Sequence, residues 1–163
     1  MKRARPSPPA NVPPGTVTLT VPIGWFSVAL HVSSPDLVPA DVGRLLGAEA
    51  TTSQTRGVAI PRPDGGPKRM PKFGRWSVVI KPADTDEWDV NEVVRELLGR
   101  LSPDLSVWER VAELGHLQLS VGLTLTRDNQ EFVLEHDLLH ALGERRIRMW
   151  FDVYREDSGV PAA

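Results

Sequence analysis

The chain has 163 residues, a formal net charge of −2 and no cysteine. That length suits one domain with a single substantial core. It excludes disulfide frameworks, thiolate nucleophiles and cysteine-bound zinc, and near-neutrality removes any global attraction to nucleic acid or anionic lipid. Arginine outnumbers lysine 15 to 4, a bias that points to a GC-rich bacterial genome. No run of about 18 apolar residues is present, so no membrane span is expected; a cysteine-free chain of this kind is expected in the cytoplasm.

The first stretch, MKRARPSPPANVPPG, is basic and proline-rich with no apolar segment behind it. It reads as a disordered tail over residues 1–15. A single domain is expected over 16–156, and a flexible C-terminal tail over 157–163. TVTLTVPI alternates at period two and predicts a short edge strand weakened by Pro22. WFSVALHVS follows, with Phe26, Val28, Leu30 and Val32 on one face and Trp25, Ser27, Ala29 and His31 on the other. This is the pattern of a half-buried strand.

LVPADVGRLLG predicts a short helix that begins at Pro39 and stops at Gly47. ATTSQTRGVAI has threonine-rich strand character. PRPDGGPKRMPK, residues 61–72, has four prolines, two glycines and four basic residues against one acid, and is expected to be an exposed, mobile loop. FGRWSVVIK alternates again, which puts Trp76 in phase with Val78 and Ile80 toward the core and Arg75 on the opposite face. The acids Asp84, Asp86, Glu87 and Asp89 precede a helix with Val90, Val93, Val94, Leu97 and Leu98 at helical spacing, and Asp89 is its expected cap. A second helix is expected with Ser102 as cap and Pro103 in its first turn, carrying Val107, Trp108, Val111 and Leu114 on its apolar stripe.

HLQLSVGLTLT alternates from His116 to Thr126. After a turn at RDNQ come a short helix over about 136–143 and a last strand, RIRMWFDVY. Ile147, Met149, Phe151 and Val153 are expected to face inward, and Arg146, Arg148, Trp150, Asp152 and Tyr154 outward. Clean alternation predicts an α+β fold: a mostly antiparallel sheet of about five strands with the helices packed on one face.

Several of these stretches together resemble the domain-of-unknown-function family 4279. They are Leu45-Leu46-Gly47, then Thr51 or Thr52, Arg56-Gly57, Gly74-x-Trp76-Ser77 and Asp152-x-Tyr154, spread over residues 25–155. Where that family often has an aromatic residue before the basic one, this chain has Thr55. The resemblance implies a bacterial α+β protein and no particular activity.

The chemistry-bearing patterns are few. His136-Asp-Leu-Leu-His140 resembles the two-histidine helix of zinc proteases. Its aspartate is one methylene short, its helix has about two turns, and both histidines lie opposite Leu138 and Leu142, so no metal site is expected there. Ser27, Ser77 and Ser120 sit in strands with no nucleophile elbow, and no phosphate-binding glycine loop occurs. No catalytic residue and no cofactor are therefore assigned. The outward sheet face is different: Trp25, His31, Arg75, Arg146, Arg148, Trp150 and Tyr154 share its parity, and tryptophan, tyrosine and arginine at that density are typical of interfaces. The expectation is a non-enzymatic protein-interaction module, regulatory or immunity-type, with a protein partner or a second copy and no membrane. One alternative is a small-ligand binder or enzyme using His31 and Arg75 near the basic loop. Another is an RNA binder on the sheet face, disfavoured by Asp152 and the overall charge.

Overall fold

The computed structural model describes residues 25–81, 89–125 and 132–155. The expected tail over 1–15, the strand within 17–23, the acids at 84–87 and the C-terminal tail lie outside the described residues.

Five strands and four helices follow one another as β1 (Trp25–Ser34), α1 (Pro39–Leu46), β2 (Thr52–Gln54), β3 (Gly74–Ile80), α2 (Val90–Gly99), α3 (Leu105–Leu114), β4 (His116–Leu125), α4 (His136–Glu144) and β5 (Arg148–Arg155). The strands form one sheet in the order β2-β3-β1-β4-β5. All neighbours are antiparallel except β4 and β5, which run parallel. The fold is thus α+β with a mostly antiparallel sheet. No helix among the described residues is long and apolar enough to cross a membrane.

Register turns the period-two pattern into two unlike faces. Val32 pairs with Trp76 and Leu117, Leu30 with Val78 and Leu119, and Val28 with Ile80 and Val121. Opposed residues share a face, so these layers meet the helices in one buried cluster. That cluster takes Val42 and Leu46 from α1, Val90, Val93, Val94 and Leu97 from α2, Trp108 and Val111 from α3, and Leu138 and Leu142 from α4.

Local chemistry fixes the helix ends. Pro39 occupies the first turn of α1, and Gly47 ends it in the left-handed region at φ 71°. The Asp89 carboxylate accepts from the Asn91 backbone N–H and caps α2. The start of α3 departs from expectation: Asp104, not Ser102, is the cap, accepting from Ser106 N. Ser102 is held elsewhere, its N–H donating to the Leu46 carbonyl and its carbonyl accepting from Trp108 Nε1 at 2.8 Å. The helix therefore begins two residues later than the Ser-Pro pair suggests. Leu114, at the far end of α3, is partly exposed instead of facing the core.

Asn91 is a buried polar junction. Its amide donates to the Val133 carbonyl and to Asp89 and accepts from Glu135 N, at 2.8 to 2.9 Å, joining the start of α2 to the approach to α4.

Two further departures concern the sheet. The threonine-rich stretch yields three residues of β2, because Arg56-Gly57, with Gly57 at φ 72°, turns the chain away. Beyond it, Ile60 and Arg69 form an antiparallel bridge that closes the basic loop into a hairpin, and the Arg69 guanidinium donates to the Gln54 side chain at 2.6 Å. In β5 the inward residues are not uniformly covered. Met149 and Phe151 are half-buried, but Val153 is 51% exposed, because this strand lies at the sheet edge.

Candidate functional site: the face of the sheet opposite the helices

The residues that alternate away from the core form a second surface. One row crosses all five strands: Thr52, Ser77, His31, Gln118 and Arg148 are successive partners. The next row toward the other end of β1 holds Val79, Ala29, Ser120 and Trp150, and a further one ends in Asp152. The four helices bury their apolar stripes on the other side, so none covers this face among the described residues.

The face carries two clusters. The inner one joins β1 and β3. His31 Nδ1 lies 2.7 Å from Ser77 Oγ, and Ser77 is only 1% exposed. Burial first, and then the charge of Arg75, hold the His31 pKa below its ordinary value of 6.5. Arg75 lies over the Phe73 ring at 5.1 Å and its Nε is buried without a hydrogen-bond partner. A serine and a histidine in contact suggest a nucleophile and its base, but this hydroxyl is shielded from solvent. In this geometry the pair is a cross-strand hydrogen bond.

The outer cluster lies on β5. Arg148, Trp150, Asp152 and Tyr154 alternate along one side of the strand. Trp150 is 52% exposed and Tyr154 51%. The Tyr154 hydroxyl donates to Asp152 Oδ2 at 2.6 Å, which raises the tyrosine pKa. Arg148 makes no ion pair or hydrogen bond among the described residues.

The seven residues singled out by parity thus do not converge on one point. His31 and Arg75 belong to the inner cluster, and Arg148, Trp150 and Tyr154 to the outer one. Arg148 shares a row with His31, but Gln118 of β4 stands between them, two strand spacings or about 10 Å across. Trp25 opens β1 opposite Thr124, which in turn opposes Tyr154; its side chain lies outside the described residues. Arg146 is not in the strand at all. It occupies the turn after α4 with φ 56°, so strand parity does not apply to it. Alternation along β1 puts Ser27 on the same face as His31 and does not point to Ser77. Only cross-strand register brings that hydroxyl to the ring.

The two histidines of α4 point into solvent. His136, Glu135 and Asp137 offer ligand atoms within 4.8 Å of one another, all exposed. Asp137 is already engaged by Arg95 at 3.0 and 3.1 Å, and His140 lies instead 3.5 Å from Glu144.

A cavity of about 520 Å³ lies on the helix side, against α1, between Ala40, Gly43, Gly47, Ala48, Ala50 and Trp76. It is therefore on the opposite side of the sheet from His31 and Arg75. Trp76 is 1% exposed, and its Nε1 has no hydrogen-bond partner, unlike Trp108, whose indole reaches the Ser102 carbonyl.

The short stretches shared with the family have structural work in this fold. A Cβ on Gly74 would lie 2.2 Å from the Leu37 carbonyl oxygen, so the loop after β1 can cross β3 only at a glycine. Leu46 is core and Gly47 is the left-handed stop. Thr51 Oγ1 accepts from Val79 N. Arg56 pairs with Asp36 at 3.0 Å. Asp152 and Tyr154 bond to each other. No curated protein and no solved structure matches the chain. A family model described as a domain of unknown function, DUF4279, matches residues 25–156, which is the whole described sheet and its helices. The chain belongs to the DUF4279 family.

Proposed function

We propose that this chain is a non-enzymatic protein-interaction module, regulatory or immunity-type, whose contact surface is the β5 side of the open sheet face. One observation carries the reading. Trp150 and Tyr154 are half-exposed on that face beside an Arg148 with no partner among the described residues, while the buried cluster lies on the other side. Aromatic side chains left in water forgo burial worth about 25 cal/mol per Å². Arginine stacks on such rings while keeping its hydrogen bonds. Tyrosine, tryptophan and arginine are the residues that dominate interface energetics. Arg75, held over Phe73 farther along the same face, extends the surface inward.

The test is a photo-crosslinking amino acid placed at position 150, with a control at the exposed Glu109 of α3. The captured protein is then purified and titrated against the wild type and Arg148→Ala/Trp150→Ala. The reading expects capture from position 150 and not from 109, and at least a tenfold loss of affinity in the double variant. RNA captured at position 150, or an unchanged affinity for the purified protein, overturns it.

A further inference from the structure

The two edges of the sheet are finished differently. β2 has three residues, and its glutamine side chain is tied to the hairpin beyond it. Short edge strands of this sort resist pairing with other chains. β5 has eight residues and ends the strand order, with β4 on one side and nothing hydrogen-bonded to its outer side among the described residues. An open edge of that length is a template for an added strand.

The sequence of β5 reads RMWFDVYR. Arg148 and Asp152 lie on the same face, four residues apart in extended chain, so about 13 Å separates them and they cannot pair within one strand. Antiparallel pairing of β5 with β5 of a second copy, about a two-fold axis at Trp150, changes this. Arg148 then stands opposite Asp152 of the second copy, and Asp152 opposite its Arg148. Opposed side chains in such a ladder have Cβ atoms about 4.5–5.5 Å apart, within reach of a charged hydrogen bond. Trp150 meets its own copy at the axis. On the helix side, Met149 stands opposite Phe151, which already packs on Phe132 at a ring separation of 5.3 Å. Shifting the register by two residues either way loses both charge pairs, and shifting it by four sets Asp152 against Asp152 or Arg148 against Arg148. Tyr154 holds one Asp152 oxygen and leaves the other for the incoming guanidinium.

We infer that β5 pairs antiparallel with β5 of a second copy in the register Arg148–Asp152, Trp150–Trp150, Asp152–Arg148. The product is a symmetric dimer with a continuous ten-stranded sheet. The inference rests on the interaction reading and deepens it by naming one partner of β5, a second copy that engages Arg148 and the edge of Trp150. In the dimer the two Trp150 and Tyr154 sets lie side by side on the open face.

Sedimentation of the full chain over a concentration series tests it. The wild type is expected at twice the chain mass of 18.0 kDa. Arg148→Asp is expected to weaken self-association at least tenfold. The swap Arg148→Asp/Asp152→Arg is expected to restore it, because the two-fold axis sets each exchanged charge against its complement. Both positions are exposed, so circular dichroism is expected to report unchanged folding. The absence of native cysteine adds a second reading: Trp150→Cys is expected to form an intermolecular disulfide on oxidation, and Val153→Cys, which faces residue 147 of the copy, is not. A monomeric wild type, a dimer indifferent to Arg148→Asp, or a swap that fails to restore association overturns the inference. A monomer that still binds a purified heterologous partner through Trp150 leaves the interaction reading standing. A dimer with no such partner does the reverse.

Discussion

The two faces of this sheet are made by the same residues' neighbours, one position apart, and they do opposite things. Leu30 and Val78 lie under the helices with almost no exposure, whereas His31 and Ser77, adjacent in sequence, make a cross-strand hydrogen bond on the other side. The helix side is closed by aliphatic and aromatic volume, so its energetics are those of packing. The open side is held by polar contacts near its middle and carries, at its edge, exposed aromatic side chains and an Arg148 with no partner among the described residues. Strand position decides the rest. At β1 and β3 the helix-side residues are buried and the described ones opposite are buried or half-buried, but at β5 even the helix-side Val153 reaches water. Buried apolar packing therefore lies on one face and at the centre, and exposed aromatic side chains at one edge of the other.

Substitutions in the helix-side layer have the largest expected effects. Trp76→Ala removes a fully buried indole beneath α1 and is expected to cost about 3–5 kcal/mol in urea unfolding. A loss within about 1 kcal/mol would mean that α1 collapses into the space, or that Trp76 is not core. Gly74→Ala follows, since its Cβ would meet the Leu37 carbonyl at 2.2 Å and the backbone of the crossing loop must move. About 1–3 kcal/mol is expected, read as a lowered denaturation midpoint with an unchanged denaturant slope. Asn91→Ala strands the Val133 carbonyl and Glu135 N–H and is expected to cost about 1–3 kcal/mol. Faster amide exchange over 133–135 than over β1 would locate the damage.

The smallest effect belongs to the open face and has a sign. His31 has a folded pKa below 6.5, so the folded protein prefers the neutral ring. The unfolded chain takes up the proton first. The His31 contribution is therefore complete above about pH 6.5 and is lost as pH falls from there through the folded pKa. The stability difference between wild type and His31→Gln, from urea unfolding at a series of pH values, is expected to shift against the wild type in that window. A difference flat across it would contradict the burial and Arg75 contact assigned to the ring.

Most of the fold was legible because its two periodicities are clean. Alternation from Phe26 to Val32, Gly74 to Ile80 and Leu117 to Leu123 marks β1, β3 and β4, and the Val90–Leu97 spacing marks α2. Pattern reports which face a residue takes, not what lies beside it. Hence Trp76 could be assigned to the core while the His31–Ser77 contact went unseen. Pattern is also blind to strand order, so nothing in RMWFDVYR announced that Val153 sits at an edge beyond the helices. Arg146 shows the same limit: alternation extends into the turn on paper, but the backbone there has left the strand. At Ser102-Pro103 a good local helix start lost to tertiary contacts of its backbone with Leu46 and Trp108.

The division between the two faces is tested most directly by Arg148→Ala/Trp150→Ala, with unfolding and affinity for the purified crosslinked partner measured on the same preparation. Stability is expected within about 0.5 kcal/mol of wild type and affinity at least tenfold weaker. A variant that binds as the wild type does, or that loses several kcal/mol of stability, would contradict that division.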